Sequence, residues 1–340
     1  MNKILHLLDE DFTLDYLKRK VLPLYPQFTD IARVKIKPYK KMIWQTTYHV
    51  VIGFDVQFKD AKDNISHVSL VCSAHSDETR ENVFKALHYL WFKKFNDPEI
   101  ILPRPLFFTK GFNGTFYEAI AGNNLLYYIK EKNLPEMAKV IKVAARLFAR
   151  LHATATEPEA NFNPANAYIK TVIPGVNNIF REMDERYQGK YSADLRLFYD
   201  HFIKSEEAYL ATKPTLQLIH GDAHPENIIK TGEDSIGIID FTDFCLADFA
   251  RDLGTFIQQL EYKIMAKIGD QALANQMKEL FLDTYFQASG QKDSPELRAR
   301  MNLYYNWTAI RTATYLFLKF DAHPEQGDAL FQKAKKNLNL

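Results

Sequence analysis

Three early segments of the chain alternate hydrophobic and polar residues in the manner of β-strands. Residues 31–37, 44–58 and 67–73 are rich in β-branched and aromatic side chains, which is typical of strands with one buried face. The polar stretch 60–64 separates the last two segments and predicts a turn. The pattern therefore predicts a small antiparallel sheet near the start of the chain.

Hydrophobic residues at helical spacing flank this sheet. Residues 11–22 form an apolar helical face that ends before Pro23. A second helix is predicted over residues 77–95, with Ser76 as its N-cap. A further strand is predicted over residues 116–120, before the chain turns to a different pattern.

The rest of the chain is mainly helical in its pattern. The strongest signal covers residues 135–152, and the stretch 154–175, rich in Asn and Pro, predicts a loop. Further helices are predicted at residues 176–188, 192–211, 249–268, 271–288, 295–319 and 325–338. We therefore predict an α+β protein with two domains, residues 1–121 and residues 122–340, and a pivot near Gly122.

Composition and charge narrow the class of protein. Of the 340 residues, 46% are hydrophobic and 25% are charged, and the net charge is +1, which predicts neither nucleic acid nor a membrane as a partner. The two cysteines, Cys72 and Cys245, form no CxxC pair, and residues 1–10 hold only a brief apolar patch. These features predict a cytoplasmic protein, and they do not indicate an oligomeric state.

One short region combines the side chains that phosphoryl transfer requires. Asp222 and Asn227 stand five residues apart between two apolar runs, and Asp240 ends a third such run. Carboxylate and amide oxygens are suitable ligands for Mg²⁺, and a remaining carboxylate can accept a proton from an attacking hydroxyl. Each residue alone could cap a turn, so the prediction depends on their joint occurrence.

The same residues resemble the signature of a known group of enzymes. The pattern His220-Gly-Asp-x-x-x-x-Asn227, followed by Ile239-Asp240, is similar to that of the aminoglycoside phosphotransferase and choline kinase superfamily. The resemblance implies a bilobal protein-kinase-like fold, with a small antiparallel-sheet N-terminal lobe and a larger, mainly helical C-terminal lobe. It also implies a Mg-dependent small-molecule kinase that moves the γ-phosphoryl group of ATP or GTP to a hydroxyl of a small acceptor.

The resemblance assigns roles to particular residues of this chain. It implies that Asp222 is the catalytic base and that Asn227 and Asp240 are the Mg²⁺ ligands. In the segment 117–120 it implies that the carbonyl of Glu118 and the amide of Ile120 bind the adenine edge.

Two further residues would support the catalytic loop. The resemblance implies that His220 braces this loop and that Asp252 accepts backbone N–H bonds from it. An ordinary core histidine, and an aspartate interacting with a helix dipole, are the alternatives for these two positions.

The chain departs from the kinase pattern at the phosphates. Kinases of this type carry a lysine on the third strand and a glycine-rich loop over the phosphates, but residues 68–75 contain no lysine and residues 37–43 contain no glycine. Either Lys37, Lys40 or Lys41 supplies the missing cation, or the protein is a catalytically weak pseudokinase that senses nucleotide or acts as a scaffold. The helix acid that would pair with the third-strand lysine would be Glu78 or Glu81.

Two other features admit more than one interpretation. His220 and His224 flank Asp222 at a metal-ligand spacing, as in a metal-dependent hydrolase, although the further His and Asn ligands of such enzymes do not follow. The aromatic run 304–307, with Arg311 and Tyr315, could contact an acceptor. A stripe at helical spacing is more often core, and the acceptor itself is not indicated.

Overall fold

The computed structural model describes residues 2–157, 160–172, 174–319 and 323–340. Among these residues, no helix combines the length and the apolar character needed to cross a membrane.

The described chain divides into two compact units. The small unit comprises Met1–Gly122 and Gly237–Thr242, and the large unit comprises Asn123–Ile236 and Asp243–Leu340. The sequence placed one boundary between residues 121 and 122. The segment Gly237–Thr242, which carries Asp240, also belongs to the small unit. The chain therefore crosses between the units more than once, which a single predicted boundary does not describe.

The small unit is built on a five-stranded antiparallel sheet with the strand order β1-β2-β3-β6-β5. Its strands are β1 (Asp30–Ile43), β2 (Tyr48–Lys59), β3 (Ile65–His75), β5 (Pro105–Thr109) and β6 (Gly114–Glu118), with the short β4 (Ile100–Ile101) elsewhere in the unit. Every second residue of β2 is buried, in a core that also contains side chains of helix α1 (Glu10–Lys20). The predicted sheet is therefore confirmed.

Strand β1 is longer than the sequence predicted. Residues 37–43, interpreted as a phosphate-covering loop, continue the strand, and the pairing with β2 extends to Ile43 opposite Tyr48. The prediction of a loop at residues 37–43 was wrong. These residues are mostly polar and exposed, so they lack the alternating hydrophobic pattern by which a strand is recognised. Pro38 lies at a shift in the register of this edge strand, a place where proline is tolerated.

Helix α2 (Glu81–Phe92) begins later than predicted. The Ser76 hydroxyl accepts a hydrogen bond from the amide of Tyr48 at 3.2 Å instead of capping the helix. His75 Nδ1 accepts bonds from the amides of Asp77 and Glu78, at 3.1 and 3.0 Å. These bonds hold the chain in a turn, so the predicted N-cap at Ser76 is wrong.

The large unit is mainly helical, as predicted. Its helices are α3 (Leu125–Lys130), α4 (Leu134–His152), α5 (Val176–Tyr187), α6 (Ser192–Ala211), α7 (Ala250–Lys267), α8 (Gln271–Ser289), α9 (Pro295–Leu318) and α10 (Pro324–Leu338). The sequence did not predict α3, because six residues are too few to show a periodic pattern.

Short strands position the motif residues. They are β7 (Asn123–Asn124), β8 (Gln217–Ile219), β9 (Ile228–Lys230), β10 (Ile236–Ile238) and β11 (Cys245–Ala247). β8 pairs antiparallel with β11, and β7 pairs antiparallel with β9. The residues between β8 and β9 form the loop that carries Asp222 and Asn227.

Helices α7 and α9 approach each other closely at Gly254. A Cβ atom at this position would lie 2.8 Å from the backbone nitrogen of Tyr305 and 2.9 Å from Tyr304 Cβ. Because the obstruction includes helix backbone, a change of rotamer cannot relieve it.

We predict that Gly254→Ala lowers the free energy of unfolding by about 1–3 kcal/mol, the usual cost of overpacking, despite the better helix propensity of alanine. Urea unfolding measures this change. Gly111→Ala is the control, because the nearest atom to a Cβ there is the Thr109 hydroxyl at 3.4 Å. Equal stability of Gly254→Ala and the parent would contradict the close approach.

Candidate active site

The loop between β8 and β9 requires glycine at position 221. Gly221 has a φ of 82°, in the left-handed region that favours glycine. A Cβ atom there would also collide with the backbone carbonyl of Asp243. Glycine therefore lets the backbone beside Asp222 turn sharply against a second segment of the large unit.

Two adjacent buried residues at the start of α7 hold this loop through hydrogen bonds to its backbone. Asp252 is fully buried, and its carboxylate accepts the backbone N–H of His220 at 2.7 Å and of Gly221 at 2.9 Å. Arg251, also buried, donates to the carbonyl of Gly221 at 3.0 Å. The prediction that Asp252 accepts backbone bonds from the loop is confirmed.

Asp252 is itself supported by two other helices. His152 Nε2, at the end of α4, lies 3.2 Å from the Asp252 carboxylate, and His152 Nδ1 lies 2.9 Å from the hydroxyl of Tyr285 on α8. Burial acts to raise the pKa of Asp252, but the hydrogen bond with His152 and neighbouring charges hold it below its usual value. The carboxylate is therefore ionised.

Sequence reasoning missed Arg251 and His152. Arg251 stands directly before Asp252, so its position beside a predicted loop support was the available signal. His152 lies one hundred residues from its partner, and no local pattern links the two.

Asp222 begins a row of alternating charges in the large unit. His224 lies between two carboxylates, with Nε2 at 3.3 Å from Asp222 and Nδ1 at 3.0 Å from Glu226. Glu226 in turn pairs with Lys263 on α7. Sequence reasoning gave no role to Glu226 or Lys263.

These neighbouring charges shift the pKa values of Asp222 and His224. Burial acts to raise the pKa of Asp222, but the charge and hydrogen bond of His224, with Arg311 nearby, hold it well below its usual value. Burial acts to lower the pKa of His224, but Asp222 and Glu226 raise it to about 10. Asp222 is thus an anion and His224 a cation at neutral pH.

Asn227 lies beside Asp222, as predicted from their spacing. Its side-chain nitrogen donates to the backbone carbonyl of Asp222 at 3.0 Å. With the nitrogen so placed, the side-chain oxygen is the atom of Asn227 that is suited to a hard cation.

Asp240 lies in the returning segment of the small unit. It has a φ of 64°, which is uncommon for a residue other than glycine. Its carboxylate accepts the hydroxyl of Thr242 at 2.7 Å, and the carbonyl of Thr242 accepts Asn82 of α2 at 3.0 Å. The side chain is exposed, so its carboxylate oxygens are accessible to solvent.

Of the two residues predicted to bind adenine, Glu118 ends strand β6 and Ile120 lies two residues beyond it. The Glu118 carboxylate accepts the hydroxyl of Tyr25 at 2.5 Å and pairs with Arg104 at 3.0 Å. The amide of Ala119 donates to the carbonyl of Ser69 at 2.8 Å. These bonds fix the positions of Glu118 and Ala119, the residues on either side of the Glu118 carbonyl.

The structure does not favour a metal-dependent hydrolase. Both ring nitrogens of His224 face carboxylates, and the side chain of His220 is fully buried. Within the described parts of the chain, no three His, Cys, Asp or Glu side chains group in a way that could hold a metal ion.

The aromatic run on α9 is mostly core. Tyr304, Tyr305 and Trp307 are buried, whereas Tyr315 is exposed. The guanidinium group of Arg311 lies over the ring of Trp307, 4.8 Å from its centroid. The interpretation as core is therefore confirmed for the run itself.

Comparisons with known proteins agree with this architecture. A model of the phosphotransferase enzyme family matches residues 70–302 of the chain. None of the curated proteins matches it.

Three solved structures illustrate the likeness. Choline kinase from Cryptosporidium parvum Iowa II has a TM-score of 0.60 at 10% identity, covering 97% of this chain and 95% of that chain. A spectinomycin phosphotransferase in complex with ADP and spectinomycin has a TM-score of 0.57 at 14% identity, with coverages of 98% and 99%. Plasmodium vivax ethanolamine kinase has a TM-score of 0.53 at 17% identity, with coverages of 88% and 81%. The predicted α+β, protein-kinase-like fold is confirmed.

We predict that Asp252→Ala lowers the free energy of unfolding by about 3–5 kcal/mol, because two buried N–H donors and a buried histidine lose their acceptor. Asp252→Asn should cost less, because its amide oxygen still accepts one bond. The midpoint of urea unfolding measures both changes. The exposed Asp283→Ala on α8 is the control, and an Asp252→Ala protein as stable as this control would refute the role.

Proposed function

The chain belongs to the phosphotransferase enzyme family, and from this premise we propose that it transfers the γ-phosphoryl group of ATP or GTP to a hydroxyl of a small molecule, with Mg²⁺ as cofactor. The observation that supports the proposal best is the ionised Asp222 on a loop held by buried hydrogen bonds. Two buried free cysteines, Cys72 and Cys245, support our proposal of a cytoplasmic protein.

Asp222 is the proposed catalytic base. Its carboxylate accepts the proton of the acceptor hydroxyl while the hydroxyl oxygen forms a bond to the γ-phosphorus and the bond to the nucleoside diphosphate breaks. The transition state of such transfers is loose, so the base mainly orients the hydroxyl and takes its proton late. A carboxylate with a lowered pKa stays ionised and can orient the hydroxyl by accepting its hydrogen bond, but it is a weak base, which agrees with a late proton transfer.

Asn227 and Asp240 are the proposed Mg²⁺ ligands. Both provide oxygen atoms, which Mg²⁺ prefers, and the ion usually completes its coordination with substrate phosphates and water. When bound, the ion neutralises charge on the transferring phosphoryl group. Asn227 is positioned for this role through its bond to the Asp222 carbonyl, and Asp240 through its bond to Thr242.

The remaining proposed contacts bind the adenine of the nucleotide and the acceptor molecule. We propose that the carbonyl of Glu118 and the amide of Ile120 bind the adenine edge. For the acceptor, we propose a site formed by the large unit's helices within residues 176–211 and 295–319. The charge of Arg311 acts on Asp222, so this end of α9 is the part best suited to contact the acceptor.

A pseudokinase that senses nucleotide is the second candidate. The observation that favours it is the absence of lysine from β3 (Ile65–His75), where kinases carry the phosphate-binding lysine.

We predict that Asp222→Asn lowers kcat by about 10²- to 10⁴-fold, the usual contribution of a positioned general base, and leaves nucleotide affinity nearly unchanged. Release of nucleoside diphosphate, screened over sugars, aminoglycosides and amino alcohols, measures turnover. Isothermal titration measures affinity. The exposed Asp234→Asn should behave like the parent.

The outcomes of this experiment separate the candidates. A parent that turns over, with an Asp222→Asn variant of equal rate, removes Asp222 from the role of base. A parent that binds nucleotide with Mg²⁺ but turns over none of these acceptors favours the sensor.

We predict that Asn227→Ala and Asp240→Ala each weaken Mg-dependent nucleotide binding by about tenfold or more, because metal affinity falls at least that much when a ligand's surroundings are altered. Titrations with Mg²⁺ and with EDTA measure the difference. Asn227→Asp keeps an oxygen donor but loses the bond to the Asp222 carbonyl, so retained Mg²⁺ dependence in this variant assigns the effect to the metal. Nucleotide binding by the parent that ignores Mg²⁺ would refute both assignments.

A further inference from the structure

The small unit carries a group of cations on the face of its sheet opposite the core. The core face includes Val50 and Ile52 of β2, so the intervening Val51 and the neighbouring His49 lie on the other face. Paired residues of adjacent strands share a face. Lys40 pairs with Val51, and His75 pairs with His49, so both belong to the face opposite the core.

The register separates the three lysines that could replace the missing one. Lys41 pairs with Val50 and therefore lies on the core side of the sheet, where its side chain is exposed. Lys37 pairs with Gly53 and is also exposed, with its amine 5.3 Å from the centroid of the Tyr39 ring. Lys40 alone among the three is half-buried.

Lys40 and Arg80 meet at one ring nitrogen. Lys40 Nζ lies 3.2 Å from His49 Nε2, and a terminal nitrogen of Arg80 lies 3.5 Å from the same atom. Both cations can only donate, so His49 Nε2 is the acceptor and its ring is neutral. Burial, followed by the charges of Lys40 and Arg80, lowers the pKa of His49 to about 4, in agreement with this geometry.

Two cations placed so close together repel each other unless anions compensate them. Arg80 is 3% exposed and has one carboxylate partner, Glu78, at 3.2 Å. Its Nε lacks a hydrogen-bond acceptor among the described residues, and Lys40 forms no ion pair within 4.0 Å there. The group thus has an unused donor on Arg80 and an amine on Lys40 without a direct carboxylate partner among the described residues, as an anion-binding site does.

The same group lies near the proposed metal ligand of the small unit. Burial lowers the pKa of Lys40, while the Asp240 carboxylate acts to raise it and Arg80 to lower it. The Asp240 carboxylate therefore offsets part of the positive charge of Lys40, so Lys40 and the proposed metal ligand interact electrostatically.

We propose that Lys40 on β1 binds the phosphate oxygens of the nucleotide in place of a β3 lysine, with Arg80 as a second donor and neutral His49 between them. This inference rests on the proposed function. It assigns the ligand class, a nucleoside triphosphate, to the face of the sheet that carries Lys40. On β3, the residue beside Val51 on the same face of the sheet is Ser73, which pairs with Val51 and with Thr115. Its hydroxyl is too short and carries no charge, so it cannot replace a lysine amine.

The test compares Lys40→Met, which keeps much of the apolar stem and removes the charge, with Lys41→Met on the adjacent position of the same strand. Isothermal titration of ATP with Mg²⁺ should give a Kd about 10- to 100-fold higher for Lys40→Met, as expected for loss of a charged hydrogen bond. Adenosine, which has no phosphate, should bind Lys40→Met and the parent alike. Lys41→Met should bind ATP as the parent does, and Lys40→Arg should recover part of the lost affinity.

The results distinguish this inference from the function on which it rests. Equal ATP affinity of Lys40→Met and the parent overturns the role of Lys40 and leaves the proposed function standing. Equal losses for ATP and adenosine also overturn it, because they indicate general damage to the unit. A parent that binds neither ATP nor GTP in the presence of Mg²⁺ overturns both. If Lys40→Met does not fold, the ratio of ATP to adenosine affinity in Lys40→Gln decides, because glutamine also removes the charge, and an unchanged ratio in that variant overturns the inference.

Discussion

The large unit depends on one buried carboxylate. Asp252 accepts two backbone N–H groups of the loop that carries Asp222, and those donors lie in an interior where water cannot replace the acceptor. Arg251 fixes the carbonyl of Gly221 in the same loop. Because His152 of α4 and Tyr285 of α8 complete the network, the conformation of the loop is determined by the packing of three helices. The conformation of the loop that carries Asp222 and the stability of the fold are therefore coupled in this unit.

Charge is arranged differently in the two units. In the large unit, Asp222, His224, Glu226 and Lys263 alternate in sign, so the charge of each residue is compensated by its neighbours and Asp222 remains ionised. In the small unit, two cations converge on a neutral histidine, with Glu78 paired to Arg80 and the Asp240 carboxylate acting on Lys40 without an ion pair within 4.0 Å among the described residues. The first arrangement needs no ligand to be balanced. The second gains most from an anionic ligand, which is the part that a phosphate chain would provide.

The sequence predicted the features that are encoded locally. The long helix α4 has a complete apolar face, and its predicted extent agrees with the structure. The pairing of Asp222 with Asn227 followed from their spacing along one loop. The start of α2 could not be predicted, because the Ser76 hydroxyl binds the amide of Tyr48 on another strand. Contacts such as His152 with Asp252 join residues far apart in the chain and become visible only when the fold brings their helices together.

The direction of the Lys40 side chain illustrates how a single backbone irregularity can determine which face of a sheet a residue occupies. Ile36 and Ile43 both pack against the core, yet they are seven residues apart, and an odd separation in a regular strand places side chains on opposite faces. One extra residue must therefore be accommodated between them, and the register shifts between Pro38 and Lys40. Without that shift, Lys40 would share the face of Ile36 and lie toward the core. A β-bulge re-aims the side chains that follow it, and here it turns an amine from the apolar side of the sheet to the side that carries His49.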